Sequence, residues 1–155
     1  MDVTFKTDEG RFNYRACAVI VDERRLLVMR DEQCPYYYLP GGKVKLHETA
    51  EEATVRELRE EMRTGITVIR PLWMCESFFT EDVDGERFHE LCLYFLASAP
   101  DAPRSETFTV RERGMRNIFR WLPFEQLKDA YLYPPFIKTA IFHLPDHLQL
   151  IHEVQ

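Results

Sequence analysis

The amino-acid sequence predicts one α+β domain, in which helices flank a mixed β-sheet. Its 155 residues suit a single domain over residues 1–155, and its 45% hydrophobic and 30% charged fractions are those of a folded chain. Strand-like and helical segments are mixed along the chain, and only one central segment is strongly amphipathic as a helix. These observations favour a sheet covered by helices.

The first part of the chain predicts three short strands. Residues 14–21 combine alanine with β-branched side chains, and residues 26–30 are largely apolar, so the polar residues 22–24 between them predict a hairpin turn. The aromatic residues 36–39 predict a further short strand. The Pro-Gly-Gly sequence at residues 40–42 is expected to end that strand.

The clearest helix is predicted over residues 49–62. Thr49 is a suitable N-cap, and Glu52 three residues later completes a capping box. The apolar stripe of this helix is predicted to consist of Val55, Leu58 and Met62. Gly65 follows as a plausible stop.

Strands, a long loop and two short helices are predicted for the second half. The strands are expected at residues 66–73, 75–80, 88–99, 117–122 and 147–154. Residues 82–85 predict a turn, and the polar residues 99–116 predict a loop. Pro123 is suited to the start of a short helix that reaches about residue 129. A second helix is expected over about residues 135–142.

Charge and cysteine content narrow the class of protein. The formal net charge is −6, and no basic patch of the kind that binds nucleic acid is evident, so no stable nucleic-acid complex is expected. No apolar run has the length of a signal peptide or a membrane span, which favours a cytoplasmic protein without a membrane partner. The four cysteines show no C-x-x-C spacing. They are expected to be buried reduced thiols rather than a zinc site or disulfides.

Three glutamates form an acidic group on the predicted central helix. Glu57, Glu60 and Glu61 have i, i+3 and i+4 spacing, which makes them neighbours, and they are predicted to lie opposite the apolar stripe. Like charges at this spacing destabilise a helix by a few tenths of a kcal/mol each, roughly. The group is either a solvated face or a site for a hard divalent cation such as Mg²⁺, which takes oxygen ligands. Glu48 and a backbone carbonyl of Gly41 could complete such a site.

The spacing of this segment resembles the signature of the Nudix hydrolases. The matching run is Gly42, five residues, Glu48, seven residues, Arg56-Glu57-Leu58, one residue, and Glu60-Glu61. Weaker similarities at residues 38–41, 121–123 and 132–135 extend the resemblance over about residues 14–142. One departure lies after the paired glutamates. Arg63 and Thr64 stand where the family has a glycine and an apolar residue, which predicts a longer or differently capped helix exit.

The resemblance implies a Nudix-type α/β/α sandwich with a catalytic loop-helix-loop motif. It also implies that Mg²⁺ or Mn²⁺ activates water to cleave a nucleoside diphosphate linked to another group. By similarity, Glu57, Glu60 and Glu61 are metal ligands, one of which could be the base. Arg56 would orient Glu57, or else pair on the surface with Glu52 or Glu60. Glu48 would be an accessory ligand or a structural partner.

Further site residues are expected outside the signature. Glu90 is the first candidate for an additional carboxylate, and Glu106 is the second. Lys43 and Arg30 are candidates for phosphate contacts. The candidates for base stacking, with core packing as the alternative for each, are Tyr37 and Phe79, together with Tyr36, Phe78 and Phe88.

Other functions remain open at this point. A nucleotide-sensing module without catalysis would keep the fold but is expected to lose acidic ligands, and an acidic cation-binding domain is the third reading. For an enzyme, the substrate could be a nucleoside triphosphate, a sugar nucleotide or a dinucleotide. A homodimer is possible, because the predicted strand at residues 147–154 could pair with another chain.

Overall fold

The computed structural model describes residues 1–82 and 84–155, which form a mixed sheet with helices on both faces. The strands are β1 (Thr4–Thr7), β2 (Gly10–Asp22), β3 (Arg25–Asp31), β4 (Gly41–Lys43), β5 (Thr67–Thr80), β6 (Arg87–Ser98), β7 (Thr107–Glu112), β8 (Met115–Pro123) and β9 (Gln149–Val154). The helices are α1 (Ala50–Met62), a 3₁₀ helix (Phe124–Asp129) and α2 (Ile137–Ala140). Strand order is β7-β8-β3-β2-β6-β5-β9, while β1 and β4 each pair with β2.

Side chains alternate along β2 between two packed layers. Ala18 belongs to the core that includes Leu58 and Met62 of α1. Its neighbour Val19 packs on the other side, in the core that includes the 3₁₀ helix and α2. Successive strand residues point to opposite faces of a sheet, so helices cover both faces. The predicted sandwich with a mixed sheet is therefore confirmed: β2–β6 and β5–β9 are parallel, whereas the other strand pairs are antiparallel.

Most predicted elements are present with shifted ends. The hairpin turn is confirmed, because Asp22 pairs with Arg25 and leaves a two-residue connection. The two strands predicted at 66–73 and 75–80 are one strand, β5, whose register against β6 shifts at two places. The predicted turn at 82–85 includes Val83, which lies outside the described residues.

Three predictions about local structure are wrong. Residues 36–39 form only isolated bridges, Tyr37 with Leu132 and Tyr38 with Met29. The predicted break at 40–42 contains the start of β4, because glycine allows this segment to pair closely with β2. The predicted loop at 99–116 contains β7 and the start of β8. The hairpin of β1 and β2 at the N-terminus was not predicted at all.

The C-terminal strand β9 lies at one edge of the sheet. Strand β9 pairs in parallel with β5 of the same chain, so its predicted pairing with a second chain stays a prediction.

All four cysteines are free thiols, and Cys17, Cys75 and Cys92 are buried. None of the helices within residues 1–82 and 84–155 has the length and hydrophobicity that crossing a membrane requires.

Candidate functional site

Helix α1 carries the acidic group, and both of its ends are fixed by local hydrogen bonds. The Thr49 hydroxyl accepts from the Glu52 N–H at 3.1 Å, and the Glu52 carboxylate accepts from the Thr49 N–H at 3.3 Å, which confirms the capping box. The helix ends at Met62, and the C-cap Arg63 is left-handed, with φ 57°. Glycine adopts this conformation most readily, and another residue costs roughly 1–2 kcal/mol. Of the two expected exits, the structure has the differently capped one, because Arg63 makes the left-handed turn itself and the helix is not longer.

The three glutamates do not share one solvated face of α1. Glu61 is 8% exposed and belongs to the buried side with Leu58 and Met62. At about 100° per residue, Glu61 is only about 60° from Leu58, so the predicted placement opposite the apolar stripe is wrong for this residue. Val55 is only partly buried, at the border of that stripe. The carboxylate of Glu61 is therefore pointed toward the sheet.

Arg56 connects three carboxylates. Its Nε and Nη2 donate to the two oxygens of Glu48 at 2.7 and 2.9 Å. Its Nη1 donates to Glu57 at 3.0 Å and to Glu60 at 3.4 Å. Nη2 also donates to the Lys43 carbonyl at 3.1 Å. These bonds hold the loop before α1 against the helix, and Arg56 lowers the pKa of Glu48 below its usual value.

Glu57 lies in the space that a side chain at residue 42 would fill. A Cβ atom on Gly42 would come within 2.6 Å of both carboxylate oxygens of Glu57. Burial raises the pKa of Glu57, and Glu60 and Glu112 raise it further, while Arg56 lowers it. Gly42 thus lets the Glu57 carboxylate lie directly against the backbone of β4.

Glu61 accepts one hydrogen bond from the backbone at the start of β4. The Gly41 N–H donates to Glu61 Oε1 at 3.0 Å. Burial raises the pKa of Glu61 well above its usual value, and the nearby Glu57 raises it further. The N–H and carbonyl of one strand residue point to the same side, so the Gly41 carbonyl also faces α1.

A side chain at residue 41 is expected to disrupt this contact. An added Cβ would clash with the Ala16 carbonyl and lie 2.6 Å from Cys17 Cα, and Gly41 has φ 156°. Both neighbours are backbone, so we expect Gly41→Ala to lower the free energy of unfolding by at least about 2 kcal/mol. Urea denaturation would measure this. Gly65→Ala is the control, because its Cβ would meet nothing within 4 Å. Equal stabilities of the two variants would contradict the close packing.

The donor set fits a hard divalent cation. It consists of carboxylates that are partly or fully desolvated and that raise one another's pKa, next to a backbone that approaches closely. Within residues 1–82 and 84–155, no three His, Cys, Asp or Glu side chains stand as a ready-made metal site. Arg56 holds the carboxylates in the present arrangement. Glu57, Glu60, Glu61, Glu48 and the Gly41 carbonyl are the groups that could hold the cation.

A recess of about 300 Å³ opens beside Glu57. Its other lining residues are Asp2, Asn13, Arg15, Gly42 and Lys43. Lys43 was predicted from its position next to the glycines. Asp2, Asn13 and Arg15 were not predicted. The one signal for Arg15 is that it is the single charged residue of the strand predicted at residues 14–21, and nothing in the sequence connects Asp2 to α1.

The two additional carboxylates lie in different surroundings. Glu90 on β6 forms an ion pair with Arg15 at 3.8 Å and accepts from Asn13 Nδ2 at 3.3 Å, so it adjoins the recess. Glu106 is 69% exposed and pairs with Arg120 on β8 at 3.8 Å. The structure gives Glu90 neighbours that belong to the recess, which favours it over Glu106.

The remaining residues predicted to contact the substrate lie in two different parts of the structure. Arg30 donates to the Cys34 carbonyl at 3.3 Å and lies over the Tyr37 ring at 5.8 Å, which ties both residues to the loop after β3. Their roles in substrate binding stay predictions. Phe79 stacks on Phe88 with centroids 4.9 Å apart. Phe88 precedes Glu90 by two residues, so this pair lies on the same face of the sheet as Glu90.

The other two aromatic candidates lie elsewhere. Phe78 contacts His89, with ring centroids 4.6 Å apart, on the opposite face of the sheet. Tyr36 packs among other tyrosines, with centroids 5.0 Å from Tyr133 and 5.6 Å from Tyr131. Neither contact connects these rings to the recess.

Comparisons with known proteins give similarity at the level of the domain and of the fold. A model of the NUDIX domain matches residues 11–141. A MutT NUDIX hydrolase from Burkholderia pseudomallei is 28% identical, with a TM-score of 0.55 over 74% of this chain and 84% of that one. The chain has no match among curated protein sequences.

Two further solved structures share the fold at lower identity. A UDP-X diphosphatase is 18% identical, with a TM-score of 0.61 over 88% of this chain. The chain spans only 66% of the length of that structure. An ADP-ribose pyrophosphatase from Streptococcus suis is 16% identical, with a TM-score of 0.57 over 91% of this chain and 98% of that one.

Proposed function

Because this chain belongs to the Nudix hydrolase family, we propose that it cleaves a pyrophosphate bond in a nucleoside diphosphate linked to another moiety. The observation that supports this most directly is the set of carboxylates around Glu57 and Glu61, desolvated and in contact with the backbone of β4. A pyrophosphate is polyanionic, and an acidic surface would repel it without a cation. The site therefore suits Mg²⁺ or Mn²⁺ as a bridge between carboxylates and phosphates.

Each residue of the site has a defined part in this proposal. Glu57, Glu60 and Glu61 hold the cation, with Glu48 and the Gly41 carbonyl as additional ligands. When bound, the cation neutralises phosphate charge and lowers the pKa of a coordinated water. Arg56 keeps Glu48 and Glu57 in position through its hydrogen bonds.

In this proposal, the attacking water loses its proton to a base. One of the α1 glutamates takes the proton from the attacking water, and burial raises the pKa of the Glu57 carboxyl, which makes its carboxylate a stronger base. Glu90 is the predicted alternative, and its catalytic part stays a prediction. Lys43 lines the recess beside Glu57, where it can contact a phosphate of the substrate.

The substrate class can be narrowed only by analogy. The names of two structural neighbours, UDP-X diphosphatase and ADP-ribose pyrophosphatase, favour sugar nucleotides, while nucleoside triphosphates and dinucleotides stay alternatives. A non-catalytic nucleotide-binding module is the competing function. The retention of Glu57, Glu60 and Glu61 argues against it, because a binding module does not need a full set of metal ligands.

A substrate panel tests the proposal. Nucleoside triphosphates, UDP- and ADP-sugars and dinucleoside polyphosphates would be incubated with the protein in Mg²⁺, in Mn²⁺ and in EDTA, and phosphate or nucleotide release measured. We expect metal-dependent release from at least one compound and none in EDTA. Nucleotide binding without turnover of any compound would favour the non-catalytic module instead.

A further inference from the structure

Arg15 is a cation that lines the recess and is not held by any hydrogen bond of its guanidinium in the part of the chain that the structure describes. Its side chain is 30% exposed, and it lies in β2 beside the Glu57 carboxylate that lines the same recess. Among the described residues, its guanidinium makes no hydrogen bond, and its ion pair is with Glu90 at 3.8 Å. That distance is longer than a hydrogen bond. Five N–H donors are therefore available to a ligand.

Glu90, in contrast, is held firmly in place. Thr4, Asn13 and Glu90 are register partners on β1, β2 and β6. The Thr4 hydroxyl donates to Asn13 Oδ1 at 2.6 Å, and Asn13 Nδ2 donates to Glu90 Oε2 at 3.3 Å. Asn13, in the middle of this row, is 5% exposed and therefore shielded from solvent. The other oxygen of Glu90, Oε1, faces Arg15.

We infer that Arg15 binds a phosphate of the substrate diphosphate, and that Glu90 acts through Arg15 as a positioning residue rather than on the reacting water. This inference rests on the proposed function. A guanidinium offers paired donors that match two phosphate oxygens, and the Arg15 guanidinium, which makes no hydrogen bond within residues 1–82 and 84–155, lines the same recess as the Glu57 carboxylate. The fixed Glu90 then restricts the rotation of Arg15 and keeps it aimed into the recess.

Binding of methylenediphosphonate, a pyrophosphate analogue that cannot be hydrolysed, tests the inference. Calorimetry in Mg²⁺ would compare the wild type with Arg15→Ala, Arg15→Lys, Glu90→Gln and the double variant Arg15→Ala/Glu90→Gln. We expect Arg15→Ala to weaken binding by about 10- to 100-fold, because a hydrogen-bonded charge is lost. Lysine keeps the charge without the fork, so Arg15→Lys should restore part of the affinity.

The double variant separates the two roles of Glu90. If Glu90 acts through Arg15, Glu90→Gln weakens binding by less than Arg15→Ala, and the double variant binds no more weakly than Arg15→Ala. With a substrate from the panel, Glu90→Gln should then raise KM and leave kcat nearly unchanged. A large loss of kcat with normal diphosphonate binding would overturn the inference and make Glu90 a catalytic residue.

Controls distinguish a failure of this inference from a loss of folding and from a failure of the proposed function. Arg87→Ala removes an exposed arginine from the same strand as Glu90 and should bind as the wild type does. Thermal unfolding of every variant would confirm that the fold persists. Wild-type protein that does not bind the diphosphonate, or Arg15→Ala that binds it normally, would overturn the inference. Normal, Arg15-dependent binding without turnover of any panel compound would instead contradict the proposed hydrolysis.

Discussion

Glu60→Gln is expected to lower kcat by about 10²–10⁴-fold while the protein stays folded. Glu60 is about one third exposed, and its contact in the structure is with Arg56 at 3.4 Å. Glutamine has the same size and can still accept a hydrogen bond from Arg56. The substitution therefore removes a negative charge and a metal ligand, with little effect on packing.

The matched control for this experiment is Glu51→Gln. Glu51 lies in the first turn of the same helix and is exposed, so the substitution changes the net charge by the same amount. Metal titration followed by initial rates would show whether the loss in Glu60→Gln is partly recovered at high Mg²⁺. Near-normal turnover by Glu60→Gln, or an equal loss in Glu51→Gln, would contradict the assignment of Glu60 to the metal.

The parts of the fold predicted from sequence are those in which local pattern and tertiary packing agree. Helix α1 has a capping box and a periodic apolar side, and both are local signals. Strands β2, β3 and β6 lie inside the sheet, where continuous apolar runs are needed. Their ends differ from the predicted ones by one to four residues, and all but the C-terminal end of β6 are extended by pairing with neighbouring strands.

Some strands were not predicted because pairing with a neighbouring strand, rather than their own sequence pattern, determines their structure. Strand β7 is an edge strand whose residues alternate between exposed and half-buried, so its polar residues looked like a loop. The aromatic residues 36–39 show the opposite error. The three tyrosines are partly buried and Leu39 is fully buried, and these residues make isolated bridges without forming a ladder. A run of large, largely apolar side chains therefore indicates burial, whether or not the residues form a strand.

The sequence predicted a grouping of residues along α1, but it did not predict their neighbours across the sheet. A spacing signature reports residues close in sequence, which is why Arg56 and the α1 glutamates could be found. Arg15 and Glu90, which are 75 positions apart in the sequence, meet only because β2 and β6 pair in parallel, and no local pattern reports this. Asp2 likewise reaches the recess through a single bridge to Lys45.

Glu61→Gln should make the metal-free protein more stable and at the same time abolish its stabilisation by Mg²⁺. Burial raises the pKa of Glu61 in the folded state. Below the pKa of an ordinary glutamate, roughly 4.3, the carboxyl is neutral in both states and carries no penalty. As pH rises above that value, the unfolded chain ionises more readily than the folded one. The folded wild type therefore loses stability with rising pH, until the pH exceeds the folded-state pKa.

Glutamine keeps the volume of Glu61 and can accept the hydrogen bond from the Gly41 N–H. It removes the buried charge and replaces one oxygen by an NH₂ group, and at pH 7 without metal we expect a gain in the free energy of unfolding of about 1–3 kcal/mol. The gain should shrink toward zero as pH falls to about 4. Urea denaturation of both proteins between pH 4 and 8 in EDTA would measure the difference, in which the effects of all other groups cancel.

Added Mg²⁺ is expected to reverse the order of the two proteins. A ligand that binds only the folded state stabilises it by about 2.7 kcal/mol at one hundred times its dissociation constant, and only the wild type keeps the full set of carboxylates. Glu51→Gln should follow the wild type in both conditions. If Glu61→Gln were less stable than the wild type without metal, the buried charge would be better compensated than its surroundings indicate. If Mg²⁺ stabilised both proteins equally, Glu61 would not be a ligand.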